Sequence, residues 1–322
     1  MLQVGDVAGV ATTLTAGLRE LTNWNVRAID LSQPSGGGRV RKSLELPSRG
    51  FRARRAVHSA VSRHMPDVVH VHWARFAPFI GSTGRPTVIH AHGSDVRGRS
   101  KSIAGRIVQR SLDRADAVLV STPDLIEDVG ARGRYLPNPV DTRCFSPVDT
   151  SARPDDRPTV LLFSRLIDVK GAQTLLDGAR LILARVPGVR VIGLGGGTYD
   201  AEAVALGVEM ISRRSKAELT ELLARVDVVV GQLRLGSLGL SELESMSCGK
   251  PVVAFVRPGL YPPDIPMVSA ATAEQVAQEC SRLLADEVAA GMLGRRARSY
   301  VVEHHDTGVV VQQLIAIYEE LL

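Results

Sequence analysis

Cysteine is scarce in this 322-residue sequence. Cys144, Cys248 and Cys280 are odd in number and far apart, which excludes a disulfide framework and a C-x-x-C zinc site. Aromatic residues make up only 4%, leaving little on which the bases of a single-stranded nucleic acid could stack. No apolar run approaches the roughly 20 residues that span a bilayer. The start, MLQVGDVAGVATT, lacks a basic n-region and carries Asp6, so it does not read as a signal peptide. These absences predict a cytoplasmic protein without a membrane span.

What is there is a soluble globular composition, 44% hydrophobic and 23% charged, long enough for two domains that each bury a core. The net charge of +5 is unevenly spread. Residues 1–150 hold 21 Lys and Arg against 13 Asp and Glu, and residues 151–322 hold 18 against 21. A basic first half without a helix-turn-helix, finger or RNP-like motif points away from nucleic acid and toward a phosphate-bearing substrate or an anionic surface.

Short apolar runs alternate with amphipathic stretches. In the first half, Leu2–Val4, Val26–Leu31, Asp67–His72, Pro86–His90 and Ala117–Val120 read as strands, with helices at Val10–Leu21, Phe51–His64 and Ile103–Leu112. Residues 133–158 hold five prolines and no periodic apolar face, the signature of a linker. The alternation then restarts. Strands are expected at Thr159–Phe163, Val189–Leu194, Val208–Ile211, Val226–Val230 and Pro251–Val256, and helices at Ala172–Arg185, Lys216–Ala224, Ser241–Ser247, Ala273–Ala285 and Thr307–Leu322. The pattern predicts an α/β fold of two Rossmann-like, doubly wound parallel-sheet domains, spanning 1–150 and 151–306, with ligands at the carboxyl ends of the strands.

Several stretches carry chemistry. In LLFSRLIDVKGAQTLL, Arg165 and Lys170 flank a turn into a helix. A lysine at a helix N-terminus opposes the dipole unless an anion sits there too. The alternative is an exposed basic loop with Asp168 as its counter-ion. In GSLGLSELESMSCGKPVVAF, Gly236 and Gly239 permit close approach of a ligand. Glu244 reads either as the far end of a capping box begun by Ser241 or as a carboxylate for two vicinal hydroxyls. VIGLGGGTYD, with Gly195 and Gly196, lacks the full G-x-G-x-x-G spacing; it reads as a tight turn or a place that admits a nucleotide base. GDVAGVATTL, with Gly5, could cradle a phosphate or sugar, or simply connect strand to helix.

Six of the eight histidines fall within residues 58–92, including His70-x-His72 and His90-x-His92. On adjacent strands, two such pairs could form a metal site; packed histidines are the plainer reading. A metal hydrolase would also want later ligands, and the only later histidines, His304 and His305, fall in a helical tail. The stretch Arg39–Arg63 holds eight basic residues and one acid, a pattern for a solvated helix face or for peripheral contact with anionic lipid at the inner membrane face.

Taken in order, HGSD at His92–Asp95, ADAVLVSTPDL, LPNPVDTRCFSP, SRLIDVKG and ELESMSCGKPVV resemble the GT-B glycosyltransferases of family 4, over nearly the whole chain. The resemblance implies a first domain that binds acceptor, a second that binds a nucleotide-sugar donor, and a terminal helix, 307–322, that returns to the first. It matches Arg165 and Lys170 to the cations that neutralise the leaving diphosphate, Glu244 to the ribose-binding glutamate, Leu238, Gly239 and Leu240 to the loop near the sugar and phosphate, and His92 to the active-site histidine. Asp95, Gly5, Gly195 and Gly196 join the expected donor contacts. The chain has no D-x-D triplet, in keeping with diphosphate chemistry that uses neither a metal nor a resident cofactor. One departure stands out: the family's first motif glutamate falls on Gly236. The implied activity is retaining transfer of a hexose from a nucleoside diphosphate sugar to a hydroxyl acceptor: a polysaccharide, glycolipid or small molecule. The basic first half points to an anionic or lipid-linked one. Its rivals are a non-catalytic sugar-nucleotide binder, a sugar-nucleotide epimerase and the metal hydrolase.

Overall fold

A computed structural model describes residues 1–31, 46–98, 102–148 and 157–322, with side chains described from residue 50 in the second of these segments. The chain divides into two compact units, Met1–Pro139 with Thr307–Leu322, and Val140–Asp306. The boundary therefore falls earlier than residue 150, and most of the expected linker is structure. Gly133–Tyr135 forms a strand, while Val140 and Phe145 are buried in the core of the second unit. Prolines misled here because a three-residue edge strand and an extended segment pinned by buried anchors need no apolar periodicity. Residues 149–156, like Arg39 and the rest of 32–45, lie outside the described residues.

The first unit is a six-stranded parallel sheet in the order β2-β1-β3-β4-β5-β6, from β1 (Leu2–Val4), β2 (Arg27–Ile29), β3 (Val69–His72), β4 (Thr87–Ala91), β5 (Ala117–Val120) and β6 (Gly133–Tyr135). One face is covered by helix Leu46–His64, whose Val57 packs with Leu2, Val4, Val69, Val71 and Ile80. Helices Val10–Leu21 and Thr307–Glu319 pack together. Gly17 permits that approach, since a Cβ there would meet Thr307 and Val311 at 2.8 Å. Helix Ile103–Arg114 is capped by Ser102, whose hydroxyl accepts from Gly105 N–H. Burying both faces of a parallel sheet demands nearly continuous apolar strands, and β5, AVLV, complies. The strand β3, VHVH, is equally buried yet alternates valine with histidine.

The second unit repeats the architecture with order β12-β11-β10-β7-β8-β9, from β7 (Thr159–Leu162), β8 (Arg190–Leu194), β9 (Glu209–Ile211), β10 (Val228–Val230), β11 (Val252–Ala254) and β12 (Val268–Ser269). Helices Ala172–Arg185 and Ala273–Ala285 cover one face through Leu175, Ala179, Ile182, Val276 and Cys280. On the other, Leu223, Leu243, Met246, Ala297 and Val301 come from Lys216–Ala224, Leu240–Ser247 and Glu287–His304. The sequence reading left out Glu287–His304 and the short Asp200–Ala205. All three cysteines are free thiols. Among the described residues no helix is long and apolar enough to cross a membrane.

Candidate functional site

In doubly wound sheets, ligands bind where the strand order reverses. In the second unit that point lies between β7 and β10, and the loops leaving β7, β8 and β10 meet there. After β7 the chain runs through exposed Arg165 to a 3-10 turn, Asp168–Lys170, and enters helix Ala172–Arg185 through Gly171, whose φ of 83° is left-handed. Leu166 carbonyl accepts from Thr198 N (2.8 Å) and Tyr199 N (3.2 Å). A Cβ on Gly197 would lie 2.5 Å from that carbonyl, so the glycine run lets the β8 loop press onto the β7 loop. On the other side, Leu233 N donates to Lys170 O at 3.0 Å and Arg234 Nη1 to Asp168 O at 3.2 Å. Arg165 and Lys170 are thereby held at one mouth, joined by Arg234, a cation the sequence reading passed over. Asp168 is not simply their counter-ion: its carboxylate accepts from Tyr199 Oη at 2.6 Å.

Gly195 and Gly196 form the tight turn rather than a row of open donors. Gly195 N–H donates to Ile211 O, and the N–H groups of Gly196 and Gly197 donate to Asp200 at 2.7 and 3.1 Å.

The β10 loop is organised by Gln232, fully buried. Its amide nitrogen donates to Ser237 O and Phe255 O, and its oxygen accepts from Arg234 N and Leu235 N. The helix that follows corrects the cap read from sequence. Gly239, not Ser241, is the N-cap, and Glu242, not Glu244, reaches back, accepting from Gly239 N (2.9 Å) and Gln232 N (2.8 Å). Leu238 is buried and its N–H donates to Tyr261 Oη at 3.1 Å. Neither Leu238 nor Gly239 therefore presents an open N–H, whereas the N–H groups at Leu240 and Ser241, in the first turn, have no intrahelical acceptor.

Relieved of capping, Glu244 is half-buried, and its carboxylate accepts no hydrogen bond from the described residues. Burial raises its pKa to about 7, with Glu242 adding to the shift and Lys216 opposing it. Desolvation without compensating donors is the state expected of a carboxylate that waits for hydroxyls. Gly236 has a φ of 75°, and a Cβ there would meet Arg257 Cβ at 3.0 Å. The loop is built around glycine at the position where the family motif has glutamate.

In the first unit the order reverses between β1 and β3. Gly5, φ 78°, follows β1, and a Cβ there would touch His72 O and Phe76 at 3.0 Å. It admits no phosphate cradle at the next helix: Asp6 already occupies that N-terminus, accepting from Ala11 N (3.0 Å) and Thr12 Oγ1 (2.6 Å). After β3, Trp73 takes the left-handed φ of 77°, strain of the kind that collects at ligand sites. His92 follows β4. Asp95, expected as a ligand contact, is wholly buried and holds backbone instead, accepting from Ala74 N (2.7 Å) and His92 N (3.0 Å). It positions His92. Burial raises the Asp95 pKa, and the backbone N–H groups offset that rise in part.

Behind His92 stand His72, His70 and His90, all buried. His72 Nε2–H donates to Gln3 Oε1 (2.7 Å), which leaves Nδ1 as a lone-pair nitrogen 3.3 Å from His92 Nε2. Gln3 Nε2 donates to Tyr318 Oη (2.8 Å), which also meets His70 Nδ1 at 2.6 Å. Burial pushes the His92 pKa down to about 3 and those of the other three well below the usual range. All four are neutral at physiological pH.

Comparison with known proteins identifies the family and the fold. Residues 5–142 match the family described as "Glycosyl transferase 4-like domain", and residues 157–286 match "Glycosyl transferases group 1". The two matches take in most of both units, and the chain belongs to the GT-B, family 4-like glycosyltransferases. It is 29% identical over 264 residues to a GDP-mannose-dependent alpha-(1-6)-phosphatidylinositol monomannoside mannosyltransferase of Mycobacterium tuberculosis, covering 71% of this chain and 68% of that one. It is 24% identical over 211 residues to the GDP-mannose-dependent enzyme for the monoacylated substrate of Corynebacterium glutamicum, covering 58% of this chain and 55% of that protein's length. Among solved structures, sucrose-phosphate synthase from Thermosynechococcus elongatus superposes with a TM-score of 0.79 at 18% identity, over 99% of this chain and 98% of the other. Anabaena HepE in complex with UDP-glucose gives 0.77 at 18%, over 99% of each.

Proposed function

We propose that the protein is a retaining hexosyltransferase that moves a sugar from a nucleoside diphosphate to a hydroxyl acceptor, with neither a diphosphate-bound metal nor a resident cofactor. The observation that carries the reading is the mouth between β7 and β10. Arg165, Lys170 and Arg234 are held together there by backbone hydrogen bonds, ahead of a helix that displays the unpartnered Glu244. In transfer, the anomeric carbon exchanges its bond to a diphosphate oxygen for one to the acceptor oxygen. Negative charge builds on the leaving diphosphate, whose freed oxygen takes up the acceptor proton. Fixed cations and first-turn N–H groups stabilise that charge. Glu244 holds the ribose hydroxyls. His92, kept neutral, offers a hydrogen bond to the transferred sugar and not a positive charge.

An anionic or lipid-linked acceptor is part of the proposal. It is supported by the names of the mycobacterial and corynebacterial relatives, whose substrates are phosphatidylinositol mannosides, and by exposed Phe51 beside exposed Arg52, Arg54 and Arg55. Val57 and Val61 of the same helix turn into the core. Peripheral membrane contact rests on Phe51 and the arginines alone.

The test is thermal unfolding against UDP, GDP, ADP and their sugars without added metal. A ligand that binds only the folded state stabilises it by about 2.7 kcal/mol at a hundredfold excess over Kd. One nucleotide should shift the transition selectively, and Arg165→Ala should abolish the shift. Absence of any shift would return the reading to a chain that has lost its donor site.

A further inference from the structure

Four histidines of the first unit, His70, His72, His90 and His92, cluster together. β3 and β4 pair with His72 directly opposite His90, and β1 pairs with Gln3 opposite His70. Gln3, His70, His72, His90 and His92 therefore share one face of the sheet, at the point where the strand order reverses. The rings form a two-by-two array. His70 stacks on His72 with centroids 4.2 Å apart, His90 lies 4.3 Å from His92, and the cross pairs are 5.4–5.5 Å apart.

Two features of this array do not suit an ordinary packed core. First, three buried ring nitrogens have no hydrogen-bond partner: His70 Nε2, His90 Nδ1 and His90 Nε2. A buried polar group left unsatisfied costs about 1–3 kcal/mol, and His90 carries that cost at both nitrogens. Second, two of the rings are each held by a polar side chain through one nitrogen, as a metal-bound imidazole is. A ligating histidine is held through its other ring nitrogen. Gln3 Oε1 holds His72 through Nε2, and Tyr318 Oη holds His70 through Nδ1.

We propose that His70, His72 and His90 bind one divalent transition-metal ion of the zinc type in the interior of the first unit, with His92 Nε2 at the fourth position. One nitrogen from each of the three histidines lies within 4.8 Å of the other two. His72 Nδ1 and His92 Nε2 are 3.3 Å apart, which equals the edge of a tetrahedron built on zinc–nitrogen bonds of about 2.0–2.1 Å. Imidazole-only ligation selects borderline ions such as zinc and cobalt over magnesium and calcium, which want oxygen. The ion would be buried behind His92 in the core of the first unit, with no open position for a substrate. Its consequence is to fix His92 and the β3 and β4 ends. The inference does not depend on the proposed donor site.

The experiment uses full-length protein with any polyhistidine tag removed, unfolded in chelator and refolded with or without one equivalent of zinc or cobalt(II). The expected results are retention of about one ion per chain after desalting, a higher Tm than the chelator-treated protein, and visible cobalt absorption of a tetrahedral nitrogen site. His90→Ala should lose all three. The surface variant His64→Asn with His304→Asn should keep them, since both side chains are exposed. If the wild type retains no ion and shows neither a cobalt spectrum nor a Tm shift, the proposal is wrong and the rings are a neutral stack. Retention that survives in His90→Ala but fails in the surface variant would also overturn it, as adventitious surface binding. Wild-type refolding alone decides the matter if His90→Ala does not fold.

Discussion

The two units share a six-stranded parallel sheet and differ in where they keep their chemistry. In the second unit the central strands are aliphatic, TVLL in β7, VVV in β10 and VVA in β11, all buried. Its polar groups sit in the loops above, and the titratable group of note is a half-buried acid, Glu244, held toward its neutral form. In the first unit the strands themselves carry imidazoles, VHVH in β3 and TVIHA in β4, and the buried groups are bases held neutral. Loops can change while an aliphatic sheet beneath them stays put, whereas chemistry built into strands is tied to their register. The difference has a measurable consequence: protons act on the two units in opposite directions.

The largest expected effect is acid unfolding of the first unit. The four histidines have folded pKa values below the usual 6.5, with His92 at about 3. The unfolded chain therefore takes up protons that the folded one refuses. The stability this confers is full above about pH 6.5 and is lost as pH falls, by up to about 1.4 kcal/mol per pH unit for each histidine that stays neutral. Both tryptophans, Trp24 and Trp73, lie in the first unit. In chelator, their emission should shift to the red between pH 6 and 4 while part of the helical circular dichroism persists. Coincident loss of both signals would mean that the units do not differ in this way.

Next come the loop cations. Arg165→Ala and Lys170→Ala should each lower turnover by about 10²-fold or more. Arg165 is exposed and bears no core contact, so Tm should stay within a degree or two of wild type. Unchanged turnover in both variants would remove the diphosphate from this mouth. A smaller effect, of about 1–2 kcal/mol destabilisation, is expected for Gly236→Glu. It restores the family's residue but forces a side chain into a left-handed φ against Arg257. Equilibrium denaturation measures it, and a neutral result would mean that the loop re-forms readily around a glutamate.

What could be read without coordinates divides along the same line. Helices Val10–Leu21, Ala172–Arg185, Lys216–Ala224 and Ala273–Ala285 start and stop where periodicity places them, because an amphipathic stripe is a local property. The turn that carries Arg165 and Lys170 was legible for the same reason, as a local motif. The exchange of roles between Glu242 and Glu244 was not. Both lie two residues apart near a helix start, and only Gln232 N–H, ten residues earlier, decides which one turns inward. Nor was the histidine array complete from the H-x-H spacings alone. The pairing of His72 with His90 is a matter of strand register, and Gln3 and Tyr318, which orient the rings, are 315 residues apart. Asp95 was misread because a carboxylate that binds backbone N–H groups and one that binds substrate look alike in sequence.

The smallest effect is the sharpest on the comparison, because its sign is opposite to that of the histidines. Glu244 has a folded pKa of about 7 against roughly 4.3 for an unperturbed glutamate, so the folded state prefers it protonated. At pH 4 the side chain is neutral in the folded state and mostly neutral in the unfolded one, and it costs little. As pH rises toward 7 and beyond, the folded protein must carry a desolvated charge that the unfolded chain hydrates freely, and stability falls. Glu244→Gln keeps the shape and removes the charge. It should match wild type in stability at pH 4.5 and exceed it by about 1–2 kcal/mol at pH 8. The same variant should weaken nucleotide binding, since an amide accepts two hydroxyls less well than a carboxylate. Stability gained where affinity is lost is the mark of a group kept for a ligand. A variant no more stable at pH 8 than at pH 4.5 would show that the carboxylate is already satisfied, and Glu244 would then have to be replaced as the ribose contact.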